Sequence, residues 1–447
     1  MDFTPHTLQD IAKALETIGV DNIDALFADI PPALRNPDID LPSGMDEASL
    51  MRHLRALAAK NHSPQHSFLG GGSQQHFIPS VTPHLAMQSE FVTAYTPYQP
   101  EVAQGVLQAT FEYQTMMAEL TGLAVSNASL YDGASSVAEA ALLAVRHKKR
   151  NKVLVSAGVH PESREVLATY LRPLGIALET VPLEQLSTGD VSTLDQDSAC
   201  LIVQNPNFLG YLEAMPRLAE QAHAQGALFV AVVDPLSLAL LQAPGEYGAD
   251  IAVGDGQTLG NMLNLGGPSF GFLVVDTPLL RQMPGRLVGQ SRDVDGKRGF
   301  VLTLQAREQH IRRSKAKSNV CSNHQLTAIM AAINVAALGP QGLQDIAAAS
   351  VQQAHSLAEQ LAAAGYDVLT QPYFFNEFVL RVPKNAADVR HELALAGVHA
   401  GVPIPSAYGL GDAVLLAASE LTRQDDIDAL LAALAKVIGQ PKATAPV

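Results

Sequence analysis

The sequence predicts an α/β fold: a buried parallel sheet wrapped by helices, followed by a smaller α+β domain. Two patterns carry this reading. Between Ser126 and Val275, helical periodicity alternates with short apolar runs at Lys152–Ser156, Ile176–Val181, Ala199–Gln204, Ala227–Val233, Ile251–Val253 and Phe270–Val275. Short apolar runs separated by helices are the mark of βαβ units whose strands are covered on both faces. After the basic stretch 307–317 the pattern changes. Two long Ala-rich helices, 325–337 and 343–364, precede strands near 366–369 and 377–382 and a closing helix, an order that suits a separate α+β domain over 342–439.

Taken in order, residues 1–65 read as a helical arm. Thr7 suits an N-cap, Leu8, Ile11, Leu15 and Ile18 share one face, and Gly19 is a stop signal. A second short helix ends at Pro31-Pro32, residues 35–44 are Pro- and Asp-rich and expected to be extended, and Leu50, Leu54 and Leu57 mark a third helix. The arm has too little apolar surface for a core of its own. Residues 66–325 form the large domain and 326–447 the small one. The last helix takes Thr422 as cap, Ile427, Leu430, Leu431, Leu434 and Ile438 as its apolar stripe and Gly439 as stop; the tail QPKATAPV is expected to fray.

Composition narrows the function. With 447 residues, 47% hydrophobic and 16% charged, the chain has room for several domains. Its net charge of −15 is dispersed, which favours solubility and argues against nucleic acid or an anionic membrane as partner. Cys200 and Cys321, without CxxC spacing, fit a reducing cytoplasm and packing roles. The N-terminus has no basic segment followed by an apolar core, and the most apolar stretch, 227–241, is broken by Asp234-Pro235, so neither a secretion signal nor a transmembrane helix is expected. No HExxH, GxSxG or nucleotide fingerprint occurs, and no metal is expected.

Several stretches could carry chemistry. The glycines Gly70–Gly72 lack phosphate-loop spacing and read as an entry loop. Asp234 closes the apolar run ALFVAVV, a ligand position at a strand's carboxyl end, though capping the next turn accounts for it equally. In ASLYDGASSVAEAALLA, Ser129, Tyr131 and Asp132 precede a helix opening at Gly133 whose amides suit an anion. Asp132 would repel a phosphate there and reads rather as a helix cap. The stretch EFVTAYTPYQPE holds Phe91, Tyr95 and Tyr98 among prolines, fit for an interface or a substrate wall and as well for plain packing. The basic residues of LQAREQHIRRSKAKSNVC read as a solvated helix face.

A strand-end Asp followed some 24 residues later by another strand end is the layout of a pyridoxal-phosphate site of the aspartate-aminotransferase type. There the Asp pairs with the pyridine nitrogen and a Lys at the second strand end forms the Schiff base. Here the second strand end is ADIAVGDGQTLG, which has no lysine, and none occurs from Val153 to Gly296. With 11 lysines in 447 residues, roughly three or four are expected over that span. The chain reads as the fold without its reactive group.

The stretches SEFVTAYTPYQPEVAQGVLQATFEYQTMMAELTGL, NASLYDGAS, VQNPNFLGYLE, GADIAVGDGQTLGNMLNLGGPSFGF, MPGRLVGQSRD and LTLQAREQHIRRSKAKSNVCSN closely resemble the P-protein family of the glycine cleavage system, in its alpha (subunit 1) form, over nearly the whole chain. The resemblance implies a fold-type-I pyridoxal-phosphate large domain with a smaller C-terminal domain, and an α2β2 assembly in which the beta chain (subunit 2) holds the cofactor lysine. It also implies the activity: CO2 is removed from glycine and the aminomethyl group passes to the lipoyl arm of H-protein. On this reading Thr258 or Gln257 stands at the vacated lysine position, Asp234 is a remnant of the pyridine partner, and Asp132 stands where a phosphate cup would be. Tyr95, Thr96, Tyr98 and Gln99 are implied as walls of the partner's site. Arg286 and Ser291 are implied to reach the cofactor phosphate across the interface. The chain departs from the family at GGGSQQH, at Gln88 before SEF, and at SKAK after REQHIRR.

Two other readings stay open: a scaffold or regulatory paralogue whose pocket contributes nothing, and an independent pyridoxal enzyme using Lys152 or Lys297. The second needs a lysine far from the usual strand end.

Overall fold

The computed structural model describes residues 6–439 except 36, 39, 62, 63, 371 and 372; the tail 440–447 lies outside the described residues. The chain divides into two compact units, Met1–Ser63 and Pro64–Val447. In the first, the helix Leu8–Ile18 starts in a capping box between Thr7 and Asp10 and stops at Gly19, which is left-handed at φ 83°. A 3-10 turn, Ile23–Phe27, is capped by Asn22, and the helix Glu47–Ala58 by Asp46. None of these three elements has a fully buried residue.

The second unit is built on a seven-stranded sheet. Its spatial order is Val125–Ser126, Gly271–Val275, Ile251–Asp255, Leu228–Val233, Ser198–Asn205, Lys152–Ser156 and Ala177–Val181. Burial is complete along LFVAVV because both faces are covered. Phe229, Ala231 and Val233 enter one cluster with Tyr113, Met117, Leu218 and Ala331; Leu228, Val230 and Val232 enter another with Val137, Ala141 and Leu167. The six expected strands all form, with one difference: Gly271–Val275 runs antiparallel to Ile251–Asp255. The link between them has only a 3-10 turn, Gln257–Leu259, and a Gly-rich loop. Without a crossover helix to carry the chain back, it returns beside the strand it has just left.

The small sheet orders Asp367–Leu369, Glu377–Arg381, Ala413–Ala417 and Val402–Pro403, all antiparallel. Where two helices were expected, a single element, Gln325–Ala363, is broken only at Gly339 (φ 65°, ψ 180°) ahead of Pro340. It is long and apolar enough to cross a membrane, yet Ala328, Ala332 and Ala347 pack into the large core and Ala354, Leu357 and Leu361 into the small one. The last helix is Gln424–Ile438 with Arg423 at its N-cap, not Thr422, whose hydroxyl instead accepts the Ser419 N–H.

Two further expectations are corrected. Arg307 is not part of a solvated face: it is buried, and its guanidinium donates to the carbonyls of Met283, Gly285 and Leu304. Of the two cysteines, Cys200 is buried but Cys321 is exposed rather than a core residue.

The sheet leaves no room at Gly254, where an added Cβ would lie 2.1 Å from the Val233 carbonyl oxygen and 2.7 Å from the Phe272 ring. Gly254→Ala is expected to cost about 2 kcal/mol or more, read as a clear fall in melting temperature by scanning calorimetry; an unchanged melting temperature would contradict this packing.

Candidate functional site

The carboxyl ends of the strands Leu228–Val233 and Ile251–Asp255 open into a cavity of about 440 Å³. Asp234 closes the first strand, and Thr258, 24 residues on, donates its hydroxyl hydrogen to Asp234 Oδ1 at 2.6 Å. The Leu236 N–H donates to the same oxygen at 3.1 Å. Burial pushes the Asp234 carboxyl above the usual range, opposed by Thr258 and by His76. Thr258, not Gln257, therefore faces Asp234. The Gln257 amide is turned elsewhere, accepting the Gln74 N–H at 2.9 Å and donating to the Asn261 carbonyl at 2.8 Å.

The helix Gly133–Lys148 begins at the rim of this cavity, and two carboxylates meet its positive end. Asp132 Oδ1 accepts the Ser135 N–H at 2.7 Å, and Asp255 Oδ2 accepts the Gly133 N–H at 3.1 Å. The other Asp255 oxygen accepts from Ser269 Oγ at 2.5 Å and from the Gln257 N–H at 3.0 Å. The cap reading of Asp132 thus describes its geometry. Asp255, two residues before Gln257 in the same loop, was not singled out by sequence, although its strand-end place was a signal.

The glycine loop closes over the cavity and is tied down. Glu377 Oε1 accepts the Gly71 N–H at 2.6 Å, and His160 Nε2–H donates to the Gly71 carbonyl at 2.9 Å while its Nδ1 accepts the Glu162 N–H. Burial, reinforced by Asp234, pushes Glu377 up to about 7. Nothing local marked Glu377, which arrives from the small domain 306 residues away from Gly71. Among the described residues that line the cavity are five carboxylates, Asp132, Glu162, Asp234, Asp255 and Glu377, and no Lys or Arg.

A second cluster surrounds the aromatic loop. Tyr95 is 75% exposed and Tyr98 48%, Gln99 is exposed, and the Thr96 hydroxyl is buried without a hydrogen-bond partner. Arg286 is only 5% exposed and turned inward: its Nη2 donates to Tyr98 Oη at 2.9 Å and to the Cys321 carbonyl at 2.6 Å, and its guanidinium lies 5.4 Å from the Tyr98 ring centre. Tyr131 Oη accepts the Cys321 N–H at 3.0 Å, so the aromatic residue ahead of Asp132 supports the same cluster. Ser129 Oγ accepts from Asn323 at 2.8 Å. Ser291 is not brought to this cluster; it is exposed on the hairpin Val288–Arg292 and Arg298–Leu302, opposite Gly299.

Lys152 starts its strand, at the amino end of the sheet and away from the cavity, paired with Asp195 at 2.9 Å and Glu179 at 3.3 Å. Lys297 projects from the hairpin tip with its side chain 77% exposed. Neither lysine approaches Asp234.

The model of a family described as the glycine cleavage system P-protein matches residues 1–434. The chain belongs to the P-protein family. It is 48% identical over 445 residues to the probable glycine dehydrogenase (decarboxylating) subunit 1 of Moorella thermoacetica, covering 98% of this chain and 100% of that one. The same-named protein of Caulobacter vibrioides is 45% identical over 449 residues, again 98% and 100% covered. A crystal structure of glycine decarboxylase (P-protein) of the glycine cleavage system, in inhibitor-bound form, matches with a TM-score of 0.92 and 52% identity over 98% of this chain and 100% of that chain. An apo cysteine desulfurase from Thermococcus onnurineus, 14% identical, matches with a TM-score of 0.62 over 89% of this chain and 99% of that one. The fold is therefore fold type I of the pyridoxal-phosphate-dependent enzymes.

Pyridoxal phosphate does not fit the residues of this P-protein chain's own cavity. Its described lining residues offer no Lys to form a Schiff base and no Arg or Lys to offset a phosphate charge, and the helix start that would take the phosphate is filled by Asp132 and Asp255. Thr258→Lys alone is expected to leave the chain unable to fix the cofactor, because the new ammonium faces Asp234 and the anion position stays blocked. Incubation with pyridoxal phosphate, borohydride reduction and mass measurement tests this, and an adduct on position 258 would refute it.

Glu377 gives a pH signature. The folded carboxyl keeps its proton up to about 7 against an ordinary value of 4.5, so its stabilising contribution is full below 4.5 and is lost as pH rises through 7. Glu377→Gln is expected to raise the melting temperature relative to the parent at pH 8, with the gain shrinking toward pH 4.5. A pH-independent difference would contradict the placement of this group.

Proposed function

We propose that this chain is the lysine-less half of a two-chain glycine decarboxylase. Glycine is decarboxylated in a site centred on a lysine-bearing subunit 2, which holds pyridoxal phosphate covalently, and the aminomethyl group passes to the lipoyl arm of H-protein. The observation that supports this reading is the Thr258–Asp234 hydrogen bond at 2.6 Å, in which a hydroxyl and no amine meets the strand-end carboxylate. The cofactor's electron-sink chemistry belongs to the partner chain. The assembly is two of each chain, in the cytoplasm.

What this chain supplies is surface and position. The segment around the aromatic loop leaves Phe77, Met87, Tyr95 and Val102 between 59% and 82% exposed, the kind of apolar ground that a permanent partner covers. Tyr95, Thr96, Tyr98 and Gln99 then become walls of the partner's pocket, where aromatic rings exclude water and hold a bound arm in line. Arg286 serves this site by holding the Tyr98 phenol from within its own chain.

The test is reconstitution. The isolated chain is expected to show no borohydride-fixed cofactor, and a mixture with subunit 2 to release CO2 from glycine in the presence of lipoylated H-protein. Tyr95→Ala in the mixed complex is expected to lower that rate about tenfold or more. If Tyr95→Ala leaves both turnover and H-protein affinity unchanged, the chain is a scaffold rather than a contributor to the site.

A further inference from the structure

The strongest unabsorbed feature is a buried acid behind the aromatic loop. Glu308, 10% exposed at its side chain, lies near two basic side chains, Arg286 and His310, that both face Tyr98. Its Oε2 is 3.9 Å from Arg286 Nε and 3.8 Å from His310 Nδ1. Arg286 donates to the Tyr98 phenol at 2.9 Å, and the His310 ring meets the Tyr98 ring edge-on with centroids 5.6 Å apart. Tyr98 is thus gripped at its oxygen by one group and along its ring by another, and one carboxylate stands behind both.

We propose that Glu308 is a positioning residue for Tyr98, holding Arg286 and His310 against it so that its phenol is anchored inward and its ring is fixed at the surface that walls the partner subunit's site. The inference rests on the reading that Tyr98 walls that site.

Three features support it. Tyr98 is nearly half exposed, so its own chain does not wedge it in place. Glu308 Oε1 and Arg286 Nε are both buried without a hydrogen-bond partner, an unsatisfied pair whose cost a purely structural site has no reason to retain. The groups that face Glu308 are Arg286, His310 and Arg307, all basic, and burial holds its carboxyl above the usual range against their pull. Of the three, Arg307 donates Nε, Nη1 and Nη2 to carbonyl oxygens, whereas Arg286, bonded through Nη2, keeps its Nε unpaired on the side of Glu308.

The test is a double-mutant cycle in the reconstituted two-chain complex, read as kcat and KM for glycine with lipoylated H-protein. Tyr98→Phe and Glu308→Gln are each expected to lower kcat/KM about tenfold, and the double variant to fall no more than about twofold below Tyr98→Phe alone. Cofactor absorbance and melting temperature are expected to stay near the parent values. Losses that multiply overturn the proposal, as does an unchanged rate in Glu308→Gln when Tyr98→Phe is impaired. If Tyr98→Phe is itself silent, the reading of Tyr98 as part of the site fails and takes this inference with it. Should Glu308→Gln fail to assemble, His310→Ala, at a more exposed position, is expected to lose about threefold and to add nothing in the Tyr98→Phe background; a further loss there overturns the proposal.

Discussion

The Asp255 carboxylate is the interaction on which the character of this chain depends. It accepts from the first amide of the Gly133–Lys148 helix, from the Gln257 amide and from Ser269. One side chain thereby ties together a helix start, a strand end and the returning loop. A helix N-terminus is an anion site whether or not a ligand arrives, because its first amides have no partner within the helix. Filling it from within gives those amides an acceptor for good and makes them unavailable to a phosphate. Asp132 completes the substitution from the other side.

The consequence is a division between two neighbouring regions. In the cavity, Thr258, Gln257, Glu377 and His160 are bonded to groups of the same chain, so a site that would normally present free donors and acceptors is closed on itself. Around Tyr95 and Tyr98 the reverse holds, with exposed rings on a rigid, proline-bounded loop and buried polar atoms left unpaired behind them. Unpaired polar atoms cost free energy. Thr96, Arg286 and Glu308 each leave one such atom unpaired around the aromatic loop, whereas the side chains of Asp234, Gln257 and Thr258 at the strand ends leave none.

The sheet was legible because its signal is local. LFVAVV and IAVGD are apolar on both faces and need no distant information to be read as buried strands, and Gly19 and Asp132 announced the helix ends they form. The antiparallel return of Gly271–Val275 was less legible, since strand patterning is the same in either direction and only the missing crossover helix distinguishes them. At the site, spacing set Asp234 opposite the loop of Gln257 and Thr258 but did not decide between the two; the hydrogen bond does. Glu377 and Glu420 could not be placed by spacing: each reaches the cavity region from the small domain, to Gly71 and to His76, across more than 300 residues. Arg307 was misread for a related reason. A run of basic residues looks solvated by composition, and only the carbonyls of a separate loop, Met283 and Gly285, make burying one of them favourable.

The helix Gln325–Ala363 has a different lesson. Its break at Gly339 does not coincide with a frontier between cores, for Leu343 and Ala347 beyond the break still belong with the large sheet, and Ala354 to Leu361 with the small one. A single rod is thus shared by both hydrophobic interiors. Severing the chain ahead of Asp367 would strip the small sheet of a supporting wall, and severing it ahead of Gln325 would leave that wall carrying an apolar stripe meant for another partner. The C-terminal region consequently shares its supporting wall with the large sheet, and the boundary of the two interiors is a seam inside a helix rather than a linker between domains.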